Sequence, residues 1–223
     1  MESERRPSVV LLSGGLDSAA NLALCAKRDQ PVLALTIRYG QRAADREVTA
    51  AKALCQFFGI KHQILDLSWL GALGGSALTD RDSRVPELES ASLDDLSVIR
   101  DSARAVWVPN RNGVLIETAA AFAERMGAMR VVVGFNREEA TTFPDNSSDF
   151  LAEISRSLRF STANGVEGFS YTVHLDKREI VDLLRAECPE FPFELVWSCY
   201  HGGERPCGKC ESCGRYNRAR GIV

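Results

Sequence analysis

The sequence predicts an α/β fold in which helices flank a parallel sheet and a cysteine cluster lies near the C-terminus. Three observations support this prediction: short apolar segments alternate with longer helical ones, a glycine turn follows the first apolar segment, and four cysteines fall within fifteen residues. A chain of 223 residues suits one domain. We expect an α/β domain over residues 1–195 and a cysteine-bearing tail over 196–223 that packs on it.

Composition excludes several classes of protein. Apolar residues make up 45% of the chain, enough for a sizeable core, and no apolar run reaches the length of a membrane span. The 27 basic and 30 acidic residues give a net charge of −3, which argues against a nucleic-acid partner. The charged start lacks the apolar segment of a signal peptide. We therefore expect a cytoplasmic protein without a membrane or nucleic-acid partner.

Hydrophobic periodicity predicts the order of the elements. Short apolar runs predict buried strands at 8–12, 31–38, 61–67 and 130–135, and wider spacing predicts helices at 17–28, 42–58, 112–126, 145–158 and 177–188. Strands separated by helices form parallel units, and ligands bind beyond the carboxyl ends of their strands. Residues 69–104 show little periodicity, which predicts a partly mobile loop over the site. An insertion without a role is the alternative.

Residues 13–18, with the sequence SGGLDS, lie between the first strand and the first helix. Glycines allow a tight turn, and amides at the positive end of a helix favour a phosphate group. Asp17 suits magnesium beside the phosphate, or a cap on the loop amides, while a simple helix cap is the alternative for the whole loop. The predicted nucleotide contacts in this segment are Leu12, Ser13, Gly14, Gly15, Leu16, Asp17 and Ser18.

The four clustered cysteines predict a metal site. Cys199, Cys207, Cys210 and Cys213 can close a tetrahedral zinc site, which we expect to be structural because no position stays open. An iron–sulfur cluster also accepts four cysteines, and disulfides are disfavoured in the cytoplasm. His201 is a weaker candidate for one ligand position.

Five segments together carry a resemblance to a known family. They are SGGLDS at 13–18, VPNRN at 108–112, GFNREE…FPD at 134–145, LDKREIV at 175–181, and WSCY with the cysteine cluster at 197–213. In this combination the chain resembles the 7-cyano-7-deazaguanine synthase family of the ATP pyrophosphatase (PP-loop) superfamily. The resemblance implies a Rossmann-like sheet of the adenine nucleotide alpha hydrolase type, with ATP bound by the domain at 1–195 and zinc by the tail at 196–223.

The family's chemistry gives the expected reaction. The resemblance implies that ATP adenylates 7-carboxy-7-deazaguanine, that ammonia displaces AMP to give an amide, and that a second adenylation leads to the nitrile used for queuosine or archaeosine. It also implies ATP with magnesium, one structural zinc ion per chain, and a homodimer. A glutamine amidotransferase would need a further domain, for which the chain has no spare length.

Candidate residues for this chemistry follow the matched segments. Lys177 and Arg111 are expected to offset phosphate charge, and with Asp17 and Ser18 they form the predicted catalytic set. An exposed helix start is the alternative for Lys177, and helix capping for the asparagines beside Arg111. The resemblance places Arg38, Tyr39 and Gln41 near the adenine and ribose. The predicted substrate contacts are Asn110, Arg111, Asn112, Asn136, Glu138, Glu139, Phe143 and Asp145, with the carboxylates as alternative acceptors for a guanine-like edge.

The chain departs from the family pattern at two places. Many members have Cys-Arg where this chain has Asn146-Ser147. Either Arg137 or Arg159 is expected to replace the missing arginine, or the ligand is expected to bind differently in this subgroup. Members often have arginine at the position of Tyr216, which Arg215 and Arg218 flank here. Two other functions remain open: a PP-loop sulfur or nitrogen transferase that adenylates a tRNA base, and a zinc-knuckle interaction module with a degenerate nucleotide loop.

Overall fold

The computed structural model describes residues 5–88 and 92–222. Its centre is a five-stranded parallel sheet in the order β3-β2-β1-β4-β5. The strands are β1 (Pro7–Leu11), β2 (Gln30–Arg38), β3 (His62–Asp66), β4 (Arg130–Val132) and β5 (Glu167–Phe169). The chain runs outward from β1 to β3 and then crosses to β4, so the strand order reverses beside β1. A ligand crevice is expected where the order reverses, beyond the carboxyl ends of the strands.

Helices cover both faces of this sheet. They are α1 (Leu16–Arg28), α2 (Ala44–Phe58), α3 (Leu96–Ala105), α4 (Arg111–Arg125), α5 (Arg137–Ala140), α6 (Ser148–Ser161), α7 (Lys177–Glu187) and α8 (Glu211–Arg220). Val10 of β1 packs with α1, α2, α7 and α8, whereas its neighbour Val9 packs with α4 and α6. This alternation gives each face its own apolar core and confirms the predicted α/β class.

The structure contains elements that the sequence did not predict, among them β5, α3, α5 and α8. β5 was not predicted, because it has only three residues and a glycine at its centre. Residues 96–105 form α3 rather than an irregular loop, and Asp95 caps it by accepting from the amides of Ser97 and Val98. Residues 89–91 of the predicted loop lie outside the described residues. In the part of the chain that the structure covers, none of the helices is long and apolar enough to cross a membrane.

Candidate active site

A cavity of about 240 Å³ lies at the carboxyl ends of the central strands. The glycine-rich loop forms its floor, and residues from β2, α4, α5 and the C-terminal segment form its walls. Among the predicted site residues, the cavity lining includes Leu12, Ser13, Gly15, Leu16, Asp17, Ser18, Tyr39, Gln41, Arg111, Asn112, Glu139 and Phe143. The fold thus brings together most of the residues that the sequence predicted from separate segments.

The glycine-rich loop is held closed by its own side chains and by the C-terminal segment. The hydroxyl of Ser18 donates to the carbonyl of Gly15 at 3.1 Å and accepts from the amide of Ser13 at 3.2 Å. The Leu16 amide donates to the hydroxyl of Ser198 at 3.2 Å, and the Trp197 amide donates to the carbonyl of Gly14 at 2.9 Å. Residues just before the cysteine cluster therefore help to shape the loop.

Two glycines make the tight packing of this loop possible. Gly14 has a φ of +84°, and a Cβ there would lie 2.8 Å from the Cβ of Ala50. A Cβ at Gly134, just after β4, would lie 2.5 Å from the backbone nitrogen of Ser18 and 2.7 Å from the carbonyl carbon of Asp17. These atoms belong to the backbone at the start of α1 and cannot move independently of the helix.

We expect Gly134→Ala to displace the loop from β4 and to lower ATP affinity at least about tenfold, because a small shift in a binding geometry has large effects. Equilibrium binding of ATP checks this result. Gly127→Ala is the matched control, because no atom lies within 4 Å of a Cβ there, although its φ of +67° will lower stability. Unchanged ATP affinity in Gly134→Ala would show that the loop does not depend on this close contact.

Lys177 is the first residue of α7, and its side chain is buried beneath the loop. Its ammonium group contacts Asp17 Oδ2 and lies 2.8 Å from Glu139 Oε1. The capping box of Asp176 and Glu179 fixes the start of α7 and so the origin of this side chain. The alternative of an exposed lysine at a helix start is therefore wrong.

Burial and charge together set the ionisation of this cluster. Burial raises the pKa of Asp17 to about 6, although Lys177 opposes the shift. Burial alone would also raise the pKa of Glu139, but Lys177 and, less strongly, Arg111 bring it below its usual range. Burial alone would lower the pKa of Lys177. The carboxylates of Asp17 and Glu139 outweigh this effect and raise the pKa of Lys177 above its usual value. Lys177 thus stays charged, while two carboxylates share one ammonium group.

Arg111 lies on the opposite wall of the cavity, at the start of α4. Its guanidinium carbon is 5.8 Å from the centre of the Tyr39 ring, and Nη1 donates to the Tyr39 hydroxyl at 3.5 Å. Asn110 precedes it in the left-handed conformation, with a φ of +51°. Asn112 does not cap the helix; its Nδ2 donates to the backbone carbonyl of Asp145 at 3.1 Å. These contacts aim a half-buried cation into the cavity.

Several predicted residues lie outside the cavity lining. Arg38 pairs with Asp45, and Glu138 pairs with Arg215 and Arg218. Asn136 is buried and caps α5 by accepting from the Glu139 amide. The others outside the lining are Gly14, Asn110, Asp145 and Lys177.

The side-chain amide of Gln41 forms its hydrogen bonds with other groups of the protein. Its Oε1 accepts from the Tyr39 amide at 2.8 Å, and its Nε2 donates to the Ile37 carbonyl and to Glu47. Gln41 thus shapes the turn after β2.

The two residues that depart from the family pattern, Asn146 and Ser147, both have a place in the fold. Asn146 is buried and lines the cavity, and Ser147 caps α6. Arg137 pairs with Asp176 and Glu179 and does not line the cavity.

The cavity also contains residues that the sequence did not assign. They include Glu47, Trp197, Ser198, Tyr200 and Ser212. Burial raises the pKa of Glu47, whose Oε2 accepts from Gln41 at 2.8 Å. Trp197, Ser198 and Tyr200 belong to the segment WSCY, which contributed to the family resemblance. Only the cysteine of that segment was assigned a role from the sequence. Phe143 stacks on Trp107 with ring centres 6.3 Å apart.

The four clustered cysteines meet at one point beside the cavity. Their sulfur atoms all lie within 4.8 Å of one another, and all four thiols are free. The amides of His201 and Cys207 donate to the sulfur of Cys199, and the amides of Lys209 and Cys210 donate to the sulfur of Cys207. Amide donors of this kind stabilise thiolates, so the donor set fits a tetrahedral metal ion.

The fold and the loop define a nucleotide-binding protein of the PP-loop class. The U34-tRNA thiolase NcsA from Methanococcus maripaludis, solved with its [4Fe-4S] cluster, has a similar fold. It matches with a TM-score of 0.50 and 17% sequence identity, over 99% of this chain and 71% of that chain. At this identity the match supports the fold alone.

The family follows from the sequence comparisons. A model of the family described as queuosine biosynthesis protein QueC matches residues 7–222, and the chain belongs to this family. The 7-cyano-7-deazaguanine synthase of Desulforudis audaxviator is 50% identical over 95% of each chain. The enzyme of the same name from Methanosarcina mazei is 47% identical over 95% of this chain and 92% of its own.

Proposed function

We propose that the protein is an ATP-dependent 7-cyano-7-deazaguanine synthase, which converts 7-carboxy-7-deazaguanine and ammonia to the nitrile. The observation that carries the proposal is the buried ammonium of Lys177 beneath the glycine-rich loop, in a chain that belongs to this family. A cation at this point offsets the charge that develops when an anionic substrate attacks ATP. The tRNA-base transferase is not favoured, because the net charge is −3 and the family match spans residues 7–222.

The reaction balances as two adenylations. A carboxylate oxygen of the substrate attacks the α-phosphorus of ATP, and pyrophosphate leaves. Ammonia then attacks the acyl carbon, loses a proton, and AMP leaves to give the amide. The amide oxygen attacks the α-phosphorus of a second ATP, and pyrophosphate leaves. Loss of AMP together with the two protons of the amide nitrogen then forms the carbon–nitrogen triple bond. Amides and hydroxyls of the loop bind the phosphates, while Lys177 and Arg111 stabilise negative charge.

A divalent cation fits beside the loop. Asp17 Oδ1 is buried and has no hydrogen-bond partner among the described residues, which leaves a carboxylate oxygen free to accept one. Asp17 would hold Mg²⁺, which supplies charge neutralisation for the phosphate chain when bound. Asp17 is therefore assigned to metal and phosphate rather than to a cap on the loop amides.

The deazaguanine ring is assigned to the wall formed by Phe143 and Glu139. Phe143 offers a ring face already aligned by Trp107, and Glu139 offers carboxylate oxygens to an N–H and an amine. Asp145 is a second acceptor, because its Oδ1 has no partner among the residues described. Tyr39 is assigned to the adenine and ribose side.

The tail over 196–223 is assigned one structural zinc ion per chain, held by the four cysteines. The sulfur cluster supports a single tetrahedral ion, and a site filled by four protein ligands has no open position for catalysis. The proposal also includes a homodimer and no nucleic-acid partner, the second supported by the net charge of −3.

Mass spectrometry of the products tests this function. The protein is mixed with ATP, Mg²⁺, ammonium and 7-carboxy-7-deazaguanine, and we expect the nitrile with two AMP and two pyrophosphate for each product. Omission of ammonium should stop the reaction before the amide, and glutamine should not replace it. An amide that goes no further would indicate an amide-forming relative. Absence of AMP would contradict the proposed substrate.

Metal analysis of the same preparation tests the tail. We expect one zinc ion per chain and no iron. Four iron atoms with matching sulfide would instead assign an iron–sulfur cluster to the four cysteines.

A further inference from the structure

We propose that Arg215 is a positioning residue that connects the cysteine cluster to Lys177 through the carboxylate of Glu138. The sequence pointed to Arg215 only as a departure from a family pattern, and to Glu138 only as a substrate contact. The structure gives both residues different partners. The kinetic part of this inference rests on the proposed function, whereas its structural part does not.

Arg215 is buried in α8, the helix that begins directly after Cys210 and contains Cys213. Its Nε donates to Glu211 Oε1 at 3.0 Å, and its Nη1 donates to Glu138 Oε1 at 3.0 Å. The planar guanidinium holds the two carboxylates at fixed angles. The position of α8 therefore determines where Glu138 lies.

Glu138 also contacts the start of α7. Its second oxygen, Oε2, accepts from the backbone amide of Lys177 at 3.0 Å. The next residue, Glu139, accepts from the ammonium of the same lysine at 2.8 Å. The short helix α5 thus holds Lys177 at both ends, with Glu138 at the backbone and Glu139 at the charged group.

Arg215 acts on this lysine only through other residues. It does not line the cavity, and its donors also include a contact from Nη2 to the carbonyl of Leu93 at 3.4 Å. Because these partners belong to the protein, a direct contact with substrate is not its role. A metal ion that orders the cysteines at the start of α8 would therefore also order Lys177.

Arg218 offers a matched comparison on the same helix. Its Nη2 donates to the same oxygen of Glu138 at 2.8 Å, but its side chain is 30% exposed and also pairs with Asp94 on the surface. If burial and the bond to Glu211 make Arg215 the residue that fixes Glu138, then loss of Arg218 should have a much smaller effect.

The first experiment compares Arg215→Met with Arg218→Met, both loaded with zinc and without substrate. Hydrogen exchange of the Lys177 amide is the readout. We expect exchange to accelerate at least about tenfold in Arg215→Met and to change little in Arg218→Met, with zinc retained by both. Unchanged protection of this amide, or loss of zinc from Arg215→Met, would overturn the inference.

Should Arg215→Met fail to fold, Glu138→Gln replaces it. Glutamine keeps the shape of glutamate, but Arg215 and the Lys177 amide donate to different oxygens of Glu138, and glutamine has an oxygen at only one of these two positions. The same acceleration is expected, and its absence would overturn the inference equally.

The second experiment uses the adenylation rate. We expect kcat to fall about 100-fold in Arg215→Met with a smaller change in KM for ATP, because a displaced group loses transition-state stabilisation. Arg215→Lys should recover only part of this loss.

If Arg215 acts through Lys177, its replacement should not lower the rate further once that lysine is removed. The double variant Arg215→Met with Lys177→Met should therefore be no slower than Lys177→Met alone. Multiplicative losses would overturn the inference. If the unmodified protein adenylates no acid, the proposed function is wrong. The hydrogen-exchange experiment still tests the role of Arg215, because it does not depend on the reaction.

Discussion

Replacement of Cys210 by serine is expected to release the metal and to unfold α8. Cys210 is fully buried, and its amide donates to the sulfur of Cys207 at 3.3 Å. A serine hydroxyl stays protonated at neutral pH and is a poor ligand for zinc, so a four-thiolate site becomes an incomplete one. Unfolding of this segment would also release residues 87–88, because the backbone of Cys210 forms a β-bridge with Glu87 and the Leu88 amide donates to the carbonyl of Lys209.

The magnitude of this effect is large compared with the stability of a domain. Structural zinc contributes on the order of 10–16 kcal/mol in small zinc peptides, whereas a whole domain is stable by about 5–15 kcal/mol. Loss of even about 4 kcal/mol should lower the melting temperature by roughly 10 °C in a chain of this size. Activity should fall with it, because the segment before the cluster holds the glycine-rich loop through Ser198.

Metal analysis and thermal melting check the prediction, with Cys188→Ser as the matched control. Cys188 is half-buried and lies outside the metal cluster, so its replacement should keep both the zinc and the melting temperature. If Cys210→Ser also kept its full zinc content and melting temperature, the assignment of four cysteine ligands would be wrong.

The parts of the fold that sequence predicted are those with a local signal. The glycine-rich loop carries its geometry in six adjacent residues, and the strand before it is a short apolar run. α8 has no such signal. Arg215, Arg218 and Arg220 give it a polar character, and its contact with α5 is made by ion pairs to Glu138 rather than by an apolar stripe. Periodicity does not report a helix that is held in this way.

Neighbouring acidic residues could not be separated from sequence for a similar reason. Glu138 and Glu139 have the same chemistry and lie next to each other, yet Glu139 lines the cavity while Glu138 faces α8. Their directions are set by a four-residue helix whose start depends on the buried cap Asn136. The assignment of Gln41 has the same limit, because its partners are backbone groups and Glu47, which only the folded chain brings together.

Replacement of Asp17 by asparagine is expected to reduce turnover about 100- to 1000-fold while stability changes little or rises. Asparagine keeps an oxygen that can accept from Lys177, but it removes the negative charge that a divalent cation requires. The same change relieves the cluster in which two carboxylates share one ammonium group. Steady-state kinetics and thermal melting on one preparation separate these effects. A fall in melting temperature as large as the fall in turnover would mean that Asp17 serves the fold rather than the reaction.

The stability of Asp17→Asn relative to the unmodified protein should depend on pH in a direction that can be predicted. The pKa of Asp17 is about 6 in the folded protein, against an ordinary value of 3.8. The folded state therefore binds a proton more tightly than the unfolded chain, and its ionisation lowers stability as the pH rises from about 4 to above 6. Asparagine does not ionise, so the melting temperature of Asp17→Asn relative to the unmodified protein should increase over this range.

Glu139 provides the contrast that separates the two carboxylates of this cluster. The pKa of Glu139 lies below its ordinary value, so its ionisation stabilises the folded state as the pH rises. The melting temperature of Glu139→Gln relative to the unmodified protein should therefore decrease as the pH rises to the ordinary value of 4.5 and change little above it. An increase as the pH rises beyond this value would mean that the roles of the two carboxylates are exchanged. A buried carboxylate whose ionisation weakens the fold is expected where charge is needed for a ligand, and Asp17 has this property while Glu139 does not.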